Sequence, residues 1–505
     1  MRKNYFSKKV LQACMLFFII ITANVSAQVG IGTITPHASS VLDVSSTTQG
    51  MLTPRMTTLQ RTAIASPADG LMVYDTDLKS FYHYTTGTSS WNVLNSGGNG
   101  RLKFKRIKSS DVLATVLAAE LALGGGSKYV LDSSTLYEIN GTVVFNFPIE
   151  LNNAYVAGLD SGEDKLVKLS GDLFTGTTGG SIRVLTLVAS GAGGKVFNIT
   201  GDGTPNLIFR DGIVANSANV GLIKGFSLVF VSIVQYVGNT NGIIYENITK
   251  LLINNAGWFG GSLPLGNSGT YEKIVGTFGQ VAKQGGFSEV TGSSIGFDVA
   301  SNPLIDGNAT IESVVFSGVI TTGKYVNGYT GVGTYVGYNF NNKWYISCPG
   351  ISEEKDLAAT GGLAFSYDVG FGASTTFSSS SPSNIVKVGG DSVASNLFRF
   401  STDDPAVNNR LRYLGSGKRF FNINGSISFQ VSGASIYIIY VAKNGFTTGL
   451  TQYKVYGRGT ANGDIVVVPI NAIVELSNGD YVEVFAQKYS GPTSFLTTNM
   501  TLIIN

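Results

Sequence analysis

The stretch Ile182-Arg183-Val184-Leu185-Thr186-Leu187-Val188, followed by Val196-Phe197-Asn198-Ile199 and Leu207-Ile208-Phe209, decides the fold. Each piece is short and rich in β-branched or aromatic residues, and Gly, Asn or Asp separates it from the next. Such pieces start about ten to fifteen residues apart, too close for helical crossovers. The same texture runs from Tyr129 to about Val319, through Val143-Val144-Phe145-Asn146-Phe147, Phe226 to Val237, Ile243-Ile244-Tyr245, Leu251 to Asn255, Ile295 to Val299 and Ile311 to Phe316. This spacing suits a parallel β-helix, in which each coil supplies short strands, inward side chains stack in ladders, and Asn or Gly turns the corners. Phe145-Asn146, Phe197-Asn198 and Tyr245-Glu246-Asn247 read as corner signatures. The repeat is imperfect, so an antiparallel sandwich stack is the alternative. At roughly 20 to 25 residues per coil, eight or nine coils are expected, a shaft near 40 Å long at about 4.8 Å per layer.

Outward from this shaft the texture changes. Before it, Val112, Leu113, Val116, Leu117 and Leu121 lie on one side of a helix that Gly124-Gly125-Gly126 stops. Such a helix caps the open first layer of a coil stack. After it, Tyr325 to Tyr345 is dense in aromatics, and residues 372–384 are rich in Ser, Thr and Gly and read as a loop. Longer alternating strands then follow: Arg410 to Tyr413, Arg419 to Val431, Ser435 to Ala442, Gln452 to Tyr456, Ile465 to Val468, Ile473 to Leu476, Tyr481 to Lys488 and Phe495 to Ile504. Asn462-Gly463-Asp464 and Asn478-Gly479-Asp480 carry the hairpin signal. With no helix among them, these strands predict an antiparallel jelly-roll sandwich.

The first residues predict export. Arg2, Lys3, Lys8 and Lys9 precede an apolar run from Val10 to Ala23, and Val25 and Ala27 supply the small residues of a cleavage site before Gln28. The apolar run is too short to span a bilayer. Taking those four cations from the chain's 35 Lys and Arg leaves 31 against 32 Asp and Glu, so the formal +3 charge belongs to the leader. Nothing in that balance calls for nucleic acid or an anionic membrane. Of the two Cys only Cys348 remains after cleavage, which excludes an intrachain disulfide and leaves burial and backbone pairing to hold the fold. Charged residues are 13% of the 505, about half the usual share, while 29 Phe and 23 Tyr argue against disorder.

Residues 28–97 have a character of their own: Val29-Gly30-Ile31-Gly32-Thr33, Thr35-Pro36-His37, Leu42-Asp43-Val44, Pro54-Arg55-Met56, Gln60-Arg61 and Gly70-Leu71-Met72-Val73-Tyr74-Asp75-Thr76. This segment resembles an N-terminal module of secreted, tail-fibre-like surface proteins of the Bacteroidota. The resemblance implies display on a fibre. Read physically, Thr57 to Ile64 forms two helical turns, and Leu71 to Tyr74 pairs with Phe81 to Tyr84. About seventy residues make a modest core, which favours self-association. Residues 96–100 read as a linker. The C-terminal strands (Arg419-Phe420-Phe421-Asn422-Ile423, Tyr481 to Phe485, Leu502-Ile503-Ile504) resemble phage-fibre heads and the jelly rolls of the complement and tumour-necrosis-factor type, a resemblance that implies a trimer.

Little in the chain offers chemistry. The two His, His37 and His83, both lie in the N-terminal module, so no imidazole serves a Ser or Cys nucleophile in the rest of the chain or builds a zinc site there. Gly318 to Tyr325 misses a phosphate loop, because Tyr325 stands where Ser or Thr would bind magnesium. Carboxylates remain: Asp160, Glu163 and Asp164 in one turn, Asp202 and Asp211 beside Arg210, and Asp403 with Asp404. The first three would also suit a structural calcium ion, although turn chemistry alone explains such Asp residues. An outer-membrane barrel is disfavoured, since regular spanning strands are missing and the last residue is Asn505.

These readings combine into an all-β chain: a signal peptide (1–27), an attachment module (28–97), a parallel β-helix shaft with a short capping helix (98–325), an aromatic transition and linker (326–390) and a C-terminal jelly-roll head (391–505). The expected function is that of a secreted, homotrimeric adhesin or tail-fibre-like display protein at the cell surface, without cofactor or enzymatic activity. Its partners are its own copies and a surface glycan or protein receptor, with neither nucleic acid nor an inserted membrane among them. Tyr335, Tyr338, Trp344 and Tyr345 are the expected sugar-stacking residues. The competing reading is a β-helix polysaccharide lyase or hydrolase working through carboxylates such as Asp202 and Asp211.

Overall fold

The computed structural model describes residues 28–94, 103–261, 266–331, 333–378, 385–445 and 453–505, with positions 10, 12, 13 and 15. Apart from those four positions, the expected signal peptide lies outside the described residues, as does the 96–100 linker. The chain divides into two units, Met1–Gly100 and Arg101–Asn505.

In the first unit, Arg55–Met56, Met72–Asp75, Ser80–Thr85 and Ser90–Val93 form a four-stranded sheet in that order, with a separate parallel pair, Val29–Ile31 and Leu42–Val44. The helix is Thr58–Thr62, started by a reciprocal capping box between Thr57 and Gln60. Its buried Arg61 pairs with Asp75 at 2.9 Å and lies 3.9 Å over the Tyr82 ring. Burial opposes ionisation of Asp75, but hydrogen bonds from the Leu78 amide, Arg61, Thr58 and the Asp77 amide outweigh it and lower its carboxyl to about 2. Outside this small core much apolar surface stays exposed, with Ile34, Leu52 and Leu59 at 100%, 81% and 78%.

The second unit begins with the shaft. Among the described residues, 21 strands from Phe104–Lys108 to Trp344–Ser347 form one sheet. All pairings among their described residues are parallel, so the sheet winds into a three-faced β-helix. The first face carries Leu136–Asn140, Tyr155–Ala157 and Gly180–Arg183, the second Thr142–Val144, Lys165–Lys168 and Thr186–Ala189, and the third Ile149–Glu150, Phe174–Gly176 and Lys195–Thr200. In the middle coils the long strands Asn219–Val237, Asn241–Trp258 and Thr270–Glu289 cross all three faces.

Left-handed backbone makes two of the corners. Between the first and second faces, Val184, Asp211, Ile233, Asn255, Gly285 and Ser313 all have φ between 50° and 65°. Between the third and first, Gly225, Asn247 and Gly276 do the same job. Gly and Asn tolerate this conformation, whereas Val184 and Ile233 are strained in it. Of the expected corner signatures, Asn247 and Asn146 turn the chain, but Asn198 lies inside the strand Lys195–Thr200 and donates to Asp172. The third corner is held by a buried polar ladder: Asn239 Oδ1 accepts from the Ser217 amide, and Asn267 Oδ1 from the Asn239 amide, at 3.1 and 2.9 Å.

Inward residues stack as expected, with Phe209, Val231 and Ile253 in register and Tyr236, Trp258 and Tyr271 stacked as rings. One interior position breaks the apolar pattern. Lys283 follows Ile253 in its column, is 0% exposed, and meets Glu272, 1% exposed, at 2.8 Å across the same coil. The cap is two short helices, Leu113–Val116 and Ala118–Leu123, that bury Leu113 and Leu117 on the first layer. Buried Glu120 accepts from Lys105 and from the Tyr137 hydroxyl.

The shaft runs farther than expected. Trp344–Ser347 pairs with Ala309–Glu312, so the aromatic run ending at Tyr345 belongs to its last coil instead of a transition. The head also begins earlier, at Thr360–Ser366 instead of 391, because that strand pairs with the C-terminal Ser494–Ile504. Within 372–384, Ala373–Thr376 is a strand, and the rest of the expected loop lies partly outside the described residues. Among the described residues, two six-stranded antiparallel sheets face each other over one core containing Phe421, Phe429, Tyr437, Phe495 and Met500. The Ile465–Val468 and Ile473–Leu476 pieces are one strand, Asn462–Leu476, which among the described residues pairs only with Arg419–Ser432. It is an edge strand, which is why Pro469 fits within it. Both Asn-Gly turns therefore pass from one sheet to the other instead of closing hairpins. Their glycines keep positive φ (Gly463 89°, Gly479 90°), which is the part of the signal that sequence carries.

Candidate functional site

The most elaborate surface lies where the last coil meets the head, and it gathers the four aromatics expected to bind sugars. Trp344 is 1% exposed: its ring packs against Phe297 and Phe340, and its indole N–H donates to the Tyr329 hydroxyl at 2.9 Å. Burial pushes the Tyr329 hydroxyl up to about 12. Trp344 is thus core, and its expected stacking role gives way to packing, the commoner use of an aromatic in a strand.

The other three reach the surface. Tyr338 stacks on Phe398 of the head at 4.0 Å and 14°, and Tyr335 meets the same ring edge-on at 5.3 Å. Both are half-buried and line a cleft of about 790 Å3 with Val336, Thr360, Asn396 and Thr402. The Tyr335 hydroxyl donates to Asn342 at 2.9 Å. Tyr345, 39% exposed, lines a second cleft of about 330 Å3 with Asn308, Lys343 and Asp356. The larger cleft mixes hydroxyls and an amide with apolar side chains such as Leu397 and Phe400, and the smaller adds the charged Lys343, Asp356 and Arg399.

A buried arginine holds the junction. Arg399, 3% exposed and at φ 56°, donates to the Trp344 and Glu354 carbonyls and to the Asp356 carboxylate. Asp356 in turn accepts from the Ser416 hydroxyl and the Gly417 amide. Burial pushes the Glu354 carboxyl up against the amides of Asn339 and Phe340 that bond it. Sequence reading missed this latch. The signal was Glu353-Glu354-Lys355-Asp356, four consecutive charges in a weakly charged chain.

The remaining candidates are dispersed. Asp164 accepts from the amides of Gly141, Leu159 and Asp160, and these bonds hold its carboxyl low although burial opposes them. Asp202 closes its own turn with Thr204, and those bonds lower its carboxyl. Asp211 is a corner residue 3.5 Å from Arg210. Asp202 and Asp211 therefore stand at opposite ends of one first-face segment and form no acid–base pair across a shared cleft. Asp403 is held low chiefly by Arg412, with Arg410 adding to it. No group of three metal-ligating side chains occurs among the described residues. The Cys348 thiol is partly buried, which pushes its pKa up, and donates to the Ile311 carbonyl. Gly318 to Tyr325 forms no helix, and the Tyr325 hydroxyl donates to Gly318 O. The third face of the shaft adds a groove of about 460 Å3 with Lys195, Asn219, Asn241, Thr270 and Lys273 on its walls.

Residues 30–110 match the family described as the phage tail like trimerisation region. The match covers the sheet of the first unit and the first strand of the shaft. No curated protein matches the chain significantly. Among solved structures the chain is similar to the enzymatically active domain of tailspike protein 4 of bacteriophage CBA120, at 9% identity and TM-score 0.21, over 90% of this chain and 77% of that one. It is also similar to the tailspike protein of Acinetobacter phage vB_ApiP_P1, at 8% identity and TM-score 0.25, over 90% and 98%. A third is a tailspike from Acinetobacter baumannii bacteriophage Fri1 described as a capsular polysaccharide depolymerase, at 10% identity and TM-score 0.19, over 90% and 97%. At these values the likenesses assign no activity to this chain. The expectation that the chain is not an enzyme is withdrawn, since two of these structures are described as an enzymatically active domain and as a capsular polysaccharide depolymerase. The chain is tail-fibre-like in its N-terminal match and its β-helical build. Among the described residues no helix is long and apolar enough to cross a membrane.

Proposed function

We propose that the chain is an exported, homotrimeric, tail-fibre-like receptor-binding protein whose shaft–head clefts hold a surface polysaccharide. The observation that carries this reading is the trimerisation-region match at 30–110 ahead of a β-helical rod. A rod holding three heads presents three equal sets of clefts, so weak contacts sum by multivalency. The clefts supply the chemistry: Tyr335, Tyr338 and Tyr345 offer ring edges and faces, and Asn396, Thr402 and Asn308 offer amides and hydroxyls to sugar hydroxyls. Export rests on the pattern of the first 27 residues.

Binding of the full chain to an array of neutral and acidic bacterial surface polysaccharides tests this, with released oligosaccharide measured in the same incubation. The expected result is binding by at least one polymer. Val336→Arg, placed at a fully exposed position on the larger cleft, weakens it about tenfold. Silence across the array, or binding unchanged by Val336→Arg and Tyr345→Ala, contradicts the proposal.

A further inference from the structure

The outward side of the shaft differs from face to face. On the first face one outward column runs unbroken through ten registered strands, from Phe104, Leu136 and Tyr155 at the base to Tyr345 at the top. Its middle rungs are Ile208, Phe230 and Leu252, in direct register. Ser181, Ala282 and Thr310 complete it, so no rung carries a charge. Ile208, Phe230 and Leu252 are half-buried by their own neighbours alone. The rows that border the column are largely polar, with Arg210, Ser232 and Asn254 on one side and Asn206, Leu228 and Lys250 on the other.

The second face has a shorter apolar column, Val144, Val167 and Val188, also in register, with Ala215 and Val237 paired farther up. The third face differs in kind. There Lys224 pairs with Glu246 at 2.7 Å and Lys273 approaches Asp298 at 3.7 Å, beside the Lys195 groove.

We infer that the first face of one shaft, below the cleft that Tyr345 lines, packs on the second face of a neighbouring copy, and that the third face is left to solvent. This rests on the homotrimer of the proposed function and assigns its surfaces. A three-fold ring needs two unlike surfaces on every copy, and the shaft offers two adjoining faces with uncharged columns, the first with the Arg106–Glu138 pair in a flanking row, and a third whose column Leu222, Ile244 and Lys273 includes a charge. The occupant is a second copy because the trimerisation-region match runs to residue 110, past the strand that carries Phe104, the lowest rung. Copies held together there run side by side from the first coil. Below the cleft the column is roughly 35 Å long and, with its flanking rows, roughly 20 Å wide, on the order of 700 Å2, near the roughly 800 Å2 per partner of a standard interface. The polar rows form the wet rim of such a contact.

Hydroxyl-radical footprinting of the native full chain, alongside its sedimentation mass, tests the assignment. The expected result is a trimer in which Ile208, Phe230, Leu252, Val167 and Val188 are modified about tenfold less than Leu222 and Ile244, which point outward on the third face. Phe230→Glu with Leu252→Glu then lowers the melting midpoint of the shaft by about 5 °C or more, and Leu222→Glu with Ile244→Glu does not. Equal modification of the faces in a chain that sediments as a trimer overturns the assignment and leaves the proposed function standing. A monomeric chain overturns both. Footprinting needs no variant, so a misfolded double substitution does not protect the inference.

Discussion

Shaft and head are both built of strands, yet they are held together by opposite means. In the shaft each strand pairs with the coil before and the coil after, some 19 to 35 residues away, as from Leu136 to Tyr155 and from Thr310 to Tyr345. In the head, Thr360–Ser366 waits for Ser494–Ile504, the last strand of the chain. Errors in a stack of coils therefore stay local, and errors in the sandwich are felt throughout it. The shaft is specified by its corners and ladders, the head by one shared core.

The sharpest way to break that contrast is at the buried ion pair. Glu272→Ala or Lys283→Ala leaves an uncompensated charge in the shaft interior and costs about 3–5 kcal/mol, whereas Glu272→Leu with Lys283→Met is about neutral or stabilising. Hydrogen exchange should show the loss confined to the coils around Asn241–Trp258 and Thr270–Glu289. Unfolding of the head in the same variants would refute the local account. A comparable effect is expected from the opposite quarter: Phe495→Ala, which removes the ring among Phe377, Phe429 and Tyr437, costs about 3–5 kcal/mol. Here calorimetry should show the head transition moving as one and the shaft transition staying put.

Next in size is the corner ladder. Asn239→Ala removes a buried amide that bonds Asn267 and the Val214 carbonyl, costing about 1–3 kcal/mol in the denaturation midpoint of the shaft. Smallest is a gain: Ile233→Asn relieves a β-branched residue from φ 54° at an exposed corner and raises stability by about 1 kcal/mol. A loss there would show that the corner is not strained. The N-terminal unit supplies a pH counterpart. The Asp75 carboxyl is lowered in the fold from its ordinary 3.8 to about 2, so its stabilisation is complete above about pH 4 and is lost as pH falls toward 2. Near-ultraviolet circular dichroism of Tyr82 and Trp91 reads that loss, and Asp75→Asn should abolish the pH dependence over this window.

These contrasts also explain what the sequence could tell. Short apolar pieces with Asn or Gly between them announce coils, because each coil must bury its inward side and turn with whatever residues accept left-handed backbone. The cap was legible for the same reason: Leu113 and Leu117 have nothing to cover except the first layer. Lys283 was not legible, since a lysine in a strand reads as outward and only the register places Glu272 across from it. The start of the head was hidden because Thr360–Ser366 is defined by a partner more than a hundred residues away. The Asn-Gly turns were read correctly as turns and wrongly as hairpins, since local sequence sets backbone sign and not which sheet receives the next strand. At the clefts, aromatic density marks a segment that lines them, but burial separates Trp344 from Tyr335, Tyr338 and Tyr345, and periodicity alone does not.

Sedimentation equilibrium of the full chain in dilute buffer tests the central claim most directly. The account predicts a single species of three chain masses across a wide range of concentrations. A single species of one chain mass would contradict it.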